Sequence, residues 1–258
     1  MKNITFILGI AVTTMLGLFS SCAGNPQEQA DMQKPLTQSE SASVNKGNET
    51  KENDGDEMEA NEGVATNGNN QAAKALNYSE MQDAFKGETT ASAKYAAYSA
   101  KAEAEGFHEI AILFSAASTS EKTHANNHRA VLEEGGQNIP VVTPDFTVKS
   151  TRENLMDAIA GETYEITTMY PKFISDANAV GNKLSLLSLN YAYKTEQKHK
   201  VFYENALAAL DGNTLKSLPD VYYVCPTCGN TYETTAPKRC GISMTSSEKF
   251  IRIASVNS

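Results

Sequence analysis

Between Asn77 and Gly212 apolar residues recur at three- and four-residue intervals, the period of an α-helix that buries one face. Four long segments rich in Ala, Leu, Lys and Glu carry this pattern. The first ends at Gly106 and the second at Gly135-Gly136. A linker holding Pro140 and Pro144 follows, and Ser150 with Glu153 gives the Ser-x-x-Glu signature of a helix start. The third segment contains Pro171, expected to kink it, and the fourth ends near Gly212. Two short connections and one longer crossover predict a bundle of four helices.

The apolar stripes are interrupted by acids and imidazoles. Met81, Phe85, Glu88 and Tyr95 share a face of the first segment, and Leu113, Ala117, Glu121, His124 and His128 share one on the second. Leu155, Ile159, Glu162, Ile166 and Phe173 line the third, and Leu189, Ala192, Glu196, His199 and Tyr203 the fourth. The interruptions are repeated. "GET" places Glu88 and Glu162, and a Glu-x-x-His unit follows each, as "EKTH" (Glu121 to His124) and "EQKH" (Glu196 to His199). Two copies of a helical hairpin packed face to face would bring these units together, because axes about 8–10 Å apart let opposed side chains meet. Carboxylates buried in this way repel one another and lose several kcal/mol of solvation each. Two divalent cations would supply four positive charges and about as many ligand bonds as five carboxylates and two imidazoles can use. His128 lies one turn beyond His124 on the same stripe and is expected to act beside the site or toward solvent. His108, at a helix start, is expected to be structural or exposed.

After the last helix, "VCPTCG" and "RCGIS" place Cys225, Cys228 and Cys240 in a metal-binding pattern with Ser243 where a fourth thiolate would stand. Three readings stay open. Iron is held by three cysteines with Ser243 or water; zinc is held without redox activity; or no metal is held and Cys225 pairs with Cys228 in an oxidising compartment.

At these residues the chain resembles the rubrerythrins, ferritin-like di-iron proteins with a rubredoxin-like tail, from about Asn77 to the C-terminus. The resemblance implies an all-α ferritin-like four-helix bundle over 76–214 and a small rubredoxin-like zinc-ribbon/β domain over 219–258. It implies that Glu121 and Glu162 bridge two irons. One iron would add Glu88 with either Glu165 or His124, the His replacing the Glu on reduction; the other would add Glu196 and His199. Tyr95 and Tyr170 match tyrosines that line the family's site, and Glu165 or a tyrosine hydroxyl is the implied proton carrier. The implied activity is reduction of hydrogen peroxide to water with electrons from a donor that the sequence does not identify. A homodimer with one chain's tail near its partner's bundle is implied as well. The competing readings are an iron-oxidising, iron-handling protein with a redox-silent tail, and a metal-stabilised interaction module.

Charge and the N-terminus add a location. The formal charge is −9, and the stretch from Gln27 to Gln71 carries about −7 of it. The remainder is close to neutral, with no basic stripe for a nucleic acid. "MKNITFILGIAVTTMLGLFSSC" has a basic start, a short apolar run and small residues before Cys22, and resembles a bacterial lipoprotein signal over 1–22, with Phe19 where leucine is usual. An acylated Cys22 would anchor an exported protein to an envelope membrane. Residues 23–75 have few large apolar groups and no aromatics, so they are expected to form a disordered acidic tether.

Overall fold

Helix-forming residues dominate 77–212, and the computed structural model, which describes residues 62–256, folds them into two helical hairpins. α1 (Glu62–Ala104) pairs with α2 (His108–Glu134). After the irregular crossover come α3 (Thr151–Tyr164), a π-helical turn over Glu165–Met169, and α4 (Tyr170–Ala179), which together pack on α5 (Lys183–Asp211). Ser150 caps α3 as its sequence predicts: its side chain accepts from the Glu153 backbone N–H while the Glu153 carboxylate accepts from that of Ser150. Asn182 caps α5 through the Ser185 N–H.

Two expectations change. α1 begins at Glu62, so 62–75 of the expected tether are helical. Once packing has fixed the helix beyond Asn77, each added turn gains hydrogen bonds without a second nucleation cost. Nearly every residue from 68 to 76 is exposed, so this stretch gains little from packing on the bundle. The expected signal over 1–22, Cys22 and the tether from 23 to 61 lie outside the described residues. The kink expected at Pro171 takes the form of the π-turn just before it. Tyr170 N–H reaches back to Glu165 O, and Pro171 then falls in the first turn of α4, where its missing N–H costs little.

The core is divided. Tyr95, Tyr98, Phe114, Leu155 and Tyr203 belong to one apolar cluster, and Met81, Leu132, Tyr170 and Leu189 to a second. On each long helical arm the acidic or imidazole positions fall between these clusters in sequence: Glu88 between Met81 and Tyr95, and Glu196 between Leu189 and Tyr203.

The tail forms β1 (Tyr222–Val224), β2 (Thr231–Glu233) and β3 (Ile251–Ile253) in an antiparallel sheet of order β2-β1-β3. Tyr222, Val224 and Ile253 extend the first apolar cluster, so the sheet is packed on the bundle of its own chain. The seam is polar where the cysteine loop meets the helices. Ser120 Oγ donates to Gly229 O at 2.7 Å, Asn127 Nδ2 to Thr227 O at 2.9 Å, and Lys198 Nζ to Asn230 Oδ1 at 2.7 Å.

Gly229 is required at this seam for two reasons: its φ of +77° disfavours a side chain, and a Cβ there would overlap the His124 ring and Ser120 Oγ. Gly229→Ala is therefore expected to destabilise the fold by about 1–3 kcal/mol. Thermal melts should show the loss, and limited proteolysis should cut the released tail. An unchanged melt with a protected tail would contradict this packing.

Candidate metal centre

The two Glu-x-x-His units converge as their spacing predicts. Glu88, Glu121, Glu162 and Glu196 are each at most 2% exposed, and His124 and His199 are fully buried. Their ligand atoms form two overlapping groups. One comprises Glu88, Glu121, His124 and Glu196; the other comprises Glu121, Glu162, Glu196 and His199, with the atoms of each group within 4.8 Å of one another. Glu121 and Glu196 are common to both. The sequence reading gave the shared role to Glu121 and Glu162. In the structure the two residues common to both groups are the glutamates of the Glu-x-x-His units, and Glu162 belongs to one group.

Most of these atoms lie close together without bonding to one another; the exception is His124 Nδ1, in a hydrogen bond with Glu121 Oε2 at 2.8 Å. His199 Nδ1 lies 3.0 Å from Glu121 Oε1 and 2.8 Å from Glu196 Oε2, yet none of the three makes a hydrogen bond there. Glu88 Oε2, Glu162 Oε2 and Glu196 Oε1 are likewise buried without hydrogen-bond partners. Groups buried so deeply normally find partners, and four carboxylates with two imidazoles are the donor set of a paired metal centre. The residues fit two iron ions. The opposite ring nitrogens are held by the tail: His124 Nε2 lies 3.1 Å from Cys228 O, and His199 Nε2 lies 3.0 Å from Thr231 Oγ1. With a metal ion on Nδ1, each Nε2 would carry the proton and donate it to the tail.

Glu165 stands apart. It is half-buried at the start of the π-turn and belongs to neither group, so of the two alternatives for the Glu88 side, His124 is the one gathered here. Tyr95 Oη donates to Glu162 Oε1 at 2.8 Å, and Tyr170 Oη donates to Glu88. His128 is fully buried, with Nδ1 2.7 Å from Ser188 Oγ and Nε2 3.4 Å from Tyr170 Oη. His108 is exposed and pairs with Glu103. Ser188 was missed in the sequence. A serine beside Leu189 carries no signal until α5 is docked against α2.

The charges are strained without metal. Burial, then repulsion from neighbouring carboxylates, pushes Glu88, Glu162 and Glu165 well above the ordinary carboxylate range. Burial also opposes ionisation of Glu121, but the adjoining His199 and His124 outweigh it and hold Glu121 at about 2. Conversely, burial disfavours charge on His199, and Glu121 and Glu196 overcome it to raise the ring to about 9; His124 is raised well above its usual value in the same way. Burial and the nearby His124 lower His128 to about 3.

In the tail, Cys225, Cys228 and Cys240 are buried free thiols within mutual ligand distance. Cys228 Sγ lies 3.4 Å from Cys240 Sγ, and Cys225 Sγ 3.3 Å from Ser243 Oγ, so Ser243 does face the cluster. The Cys228 thiol beside it, with hydrogen bonds from Ser243 and nearby backbone, holds Cys225 down at about 4 while Cys228 is pushed up. Such a cluster can hold iron or zinc, with an oxygen as the remaining donor.

The proton balance fixes a pH dependence for the metal-free chain. His199 is raised from 6.5 to about 9, so its stabilising contribution is full below pH 6.5 and is lost by about pH 9. The raised carboxylates and His124 act in the same direction. Glu121 loses its contribution only in acid, and the lowered His128 costs stability only below pH 6.5. The melting temperature of metal-free protein should therefore fall between pH 6.5 and 9. The stabilisation gained on adding ferrous or zinc ions should grow over the same range, because the ions bind deprotonated ligands. A flat metal-free profile would contradict the charge arrangement.

Comparison with known proteins agrees with this geometry. The family model for rubrerythrin matches residues 80–207. The rubrerythrin of Porphyromonas gingivalis is 33% identical over 159 residues, covering 61% of this chain and 80% of that protein. Nigerythrin of Nitratidesulfovibrio vulgaris is 30% identical over 173 residues, covering 66% and 83%. A solved structure described as the fully reduced, all-ferrous state of nigerythrin superposes with a TM-score of 0.61 at 29% identity, over 68% of this chain and 86% of that one. Proteins of this kind are generally di-iron oxidoreductases of the peroxidase type. Similarity at that identity across four fifths of a rubrerythrin's length, carried on the same bundle, makes this chain a member of the rubrerythrin family.

Proposed function

We propose that the chain is a non-haem di-iron peroxidase that reduces hydrogen peroxide to water, with electrons entering through its own cysteine module. The observation that carries this reading is the set of buried, unpartnered carboxylate and imidazole atoms in two groups sharing Glu121 and Glu196. Those two glutamates would bridge two irons, with Glu88 and His124 on one side and Glu162 and His199 on the other. When bound as ferrous ions, the pair supplies one electron each and two Lewis-acid positions for the peroxide oxygens.

The remaining work falls to side chains. The Tyr95 and Tyr170 hydroxyls orient Glu162 and Glu88 and can pass protons to them. Glu165, half-buried and biased toward its protonated form, is placed to hold a proton at the edge of the site or to enter the ligand set in place of His124. The hydrogen bond from His124 Nε2 to Cys228 O joins the cysteine cluster to the carboxylate groups within one chain and supports electron entry there.

Ser243 favours a second reading. An oxygen donor makes an iron at the tail harder to reduce, and a silent tail would leave an iron-oxidising protein that consumes peroxide only as fresh ferrous ion arrives. The leading proposal also places the enzyme at the bacterial envelope through an acylated Cys22, in a homodimer. The acidic segment before Glu62 would give it reach.

Peroxide consumption by the iron-loaded full chain tests the proposal. Many turnovers with an external reductant are expected, and Glu121→Ala or His199→Ala should cut both iron content and turnover by more than about tenfold. Peroxide loss that stops when the ferrous ion is spent would support the iron-oxidising reading instead. Ser243→Cys should strengthen the thiolate-to-iron absorption and speed reduction, and no change in either would remove the tail from the electron path. Cys22→Ala should release the protein from membranes; retention there would overturn the anchor.

A further inference from the structure

Peroxide reduction consumes two protons for every two electrons, and a site this deeply buried needs a route for them. On the Glu162 side the hydrogen bonds do not continue outward. Tyr95 Oη donates to Glu162, while the next tyrosine, Tyr98, turns its hydroxyl to Thr147 O and Asp157 instead of to Tyr95. On the Glu88 side they do continue. Tyr170 Oη meets Glu88, His128 Nε2 lies 3.4 Å from Tyr170 Oη, and His128 Nδ1 lies 2.7 Å from Ser188 Oγ. Ser188 lines a groove of about 470 Å³ between α2 and α5, with Asn127, Val131, Leu184, Leu187 and Tyr191 among its other walls. Leu184 and Leu187 are about half exposed, so the groove opens to water.

From this connectivity we infer that Ser188, His128 and Tyr170 form a proton relay from the α2/α5 groove to the Glu88 side of the metal centre. The inference rests on the peroxidase reading for its purpose and on the hydrogen bonds for its path.

The bonds have a common polarity. With Glu88 ionised, Tyr170 donates to it, so the tyrosine oxygen is left to accept from His128 Nε2–H. Nδ1 of that ring then accepts from the Ser188 hydroxyl. A proton taken up from groove water at Ser188 Oγ displaces the serine's own proton to His128 Nδ1. The proton on Nε2 passes to Tyr170 Oη, and the tyrosine's proton passes to Glu88 Oε1. No electrons move in this transfer, the three relay groups begin and end neutral, and one proton has travelled from groove to site. Reorientation of the ring and the two hydroxyls resets the path. The groups facing His128 are Ser188 from α5, Tyr170 from α4, Glu88 at 4.0 Å from α1, and His124 on its own helix.

Two measurements test the relay. The first needs no turnover: in the zinc-loaded full chain labelled with nitrogen-15 histidine, the proton of His128 should sit on Nε2, and Ser188→Ala should shift the Nδ1 resonance. A proton found on Nδ1 would reverse the polarity and overturn the relay even if the peroxidase reading stands. The second is turnover in iron-loaded protein. His128→Ala should lower kcat by on the order of a hundredfold with little change in KM, and enlarge the solvent isotope effect. Imidazole in the buffer should restore part of the rate, which a merely structural loss would not allow. Ser188→Ala should be slower than Ser188→Thr, which keeps the hydroxyl. Full activity in His128→Ala would sink the relay and leave the peroxidase intact, whereas an inactive wild-type chain with the expected tautomer would sink the peroxidase reading alone.

Discussion

Four carboxylates buried side by side, with a fifth at their edge, are the constraint on which the rest of the fold depends. Each has given up water, and each raises the cost of charging the next, as the upward displacement of Glu88 and Glu162 records. Two buried imidazoles offset only part of this, chiefly at Glu121. The bundle contains the problem by confining it to one layer, between an aromatic cluster on one side and a mixed apolar cluster on the other. Those clusters supply the favourable burial that keeps the layer closed to bulk solvent, and the layer in turn offers ions a set of ligands that needs little rearrangement.

Much of this was legible in the chain. Acids and imidazoles that fall on apolar stripes at helical spacing, repeated in two hairpins, identify both the bundle and its ligands, since periodicity alone assigns a side chain to the buried face. Which glutamates are shared was not legible. That depends on which helices face each other across the centre and on side-chain rotation, which the repeat, pairing Glu88 with Glu162 and Glu121 with Glu196, does not fix. The π-turn was marked only as a kink at Pro171, because a widened turn has no residue signature of its own. The extension of α1 back to Glu62 escaped a reading based on composition, since a helix that borrows its nucleus from a packed one needs no apolar face.

The tail illustrates the same limit from the other side. Its cysteine spacing is readable, and so is the departure at Ser243, but contacts between distant segments are not. Nothing in "CGNT" announces that this loop would rest on α2 and α5 of the same chain, with Cys228 O beneath one histidine and the Thr231 hydroxyl beneath the other. In the folded chain the tail therefore orients metal ligands whatever it does with electrons, because the tautomer and tilt of both rings are set by acceptors it provides.

The glycine at the centre of that seam bears on how such proteins could be recombined. At Gly229, next to the carbonyl of Cys228, the loop's backbone lies directly against the His124 ring. A donor module grafted onto this bundle from another chain would have to bring the same bare, left-handed residue to the same register. Without it, the graft would hold its own metal yet stand off from the histidines. Interchangeability of the two halves is thus governed by a single hydrogen atom on the backbone, not by the cysteines that give the module its chemistry.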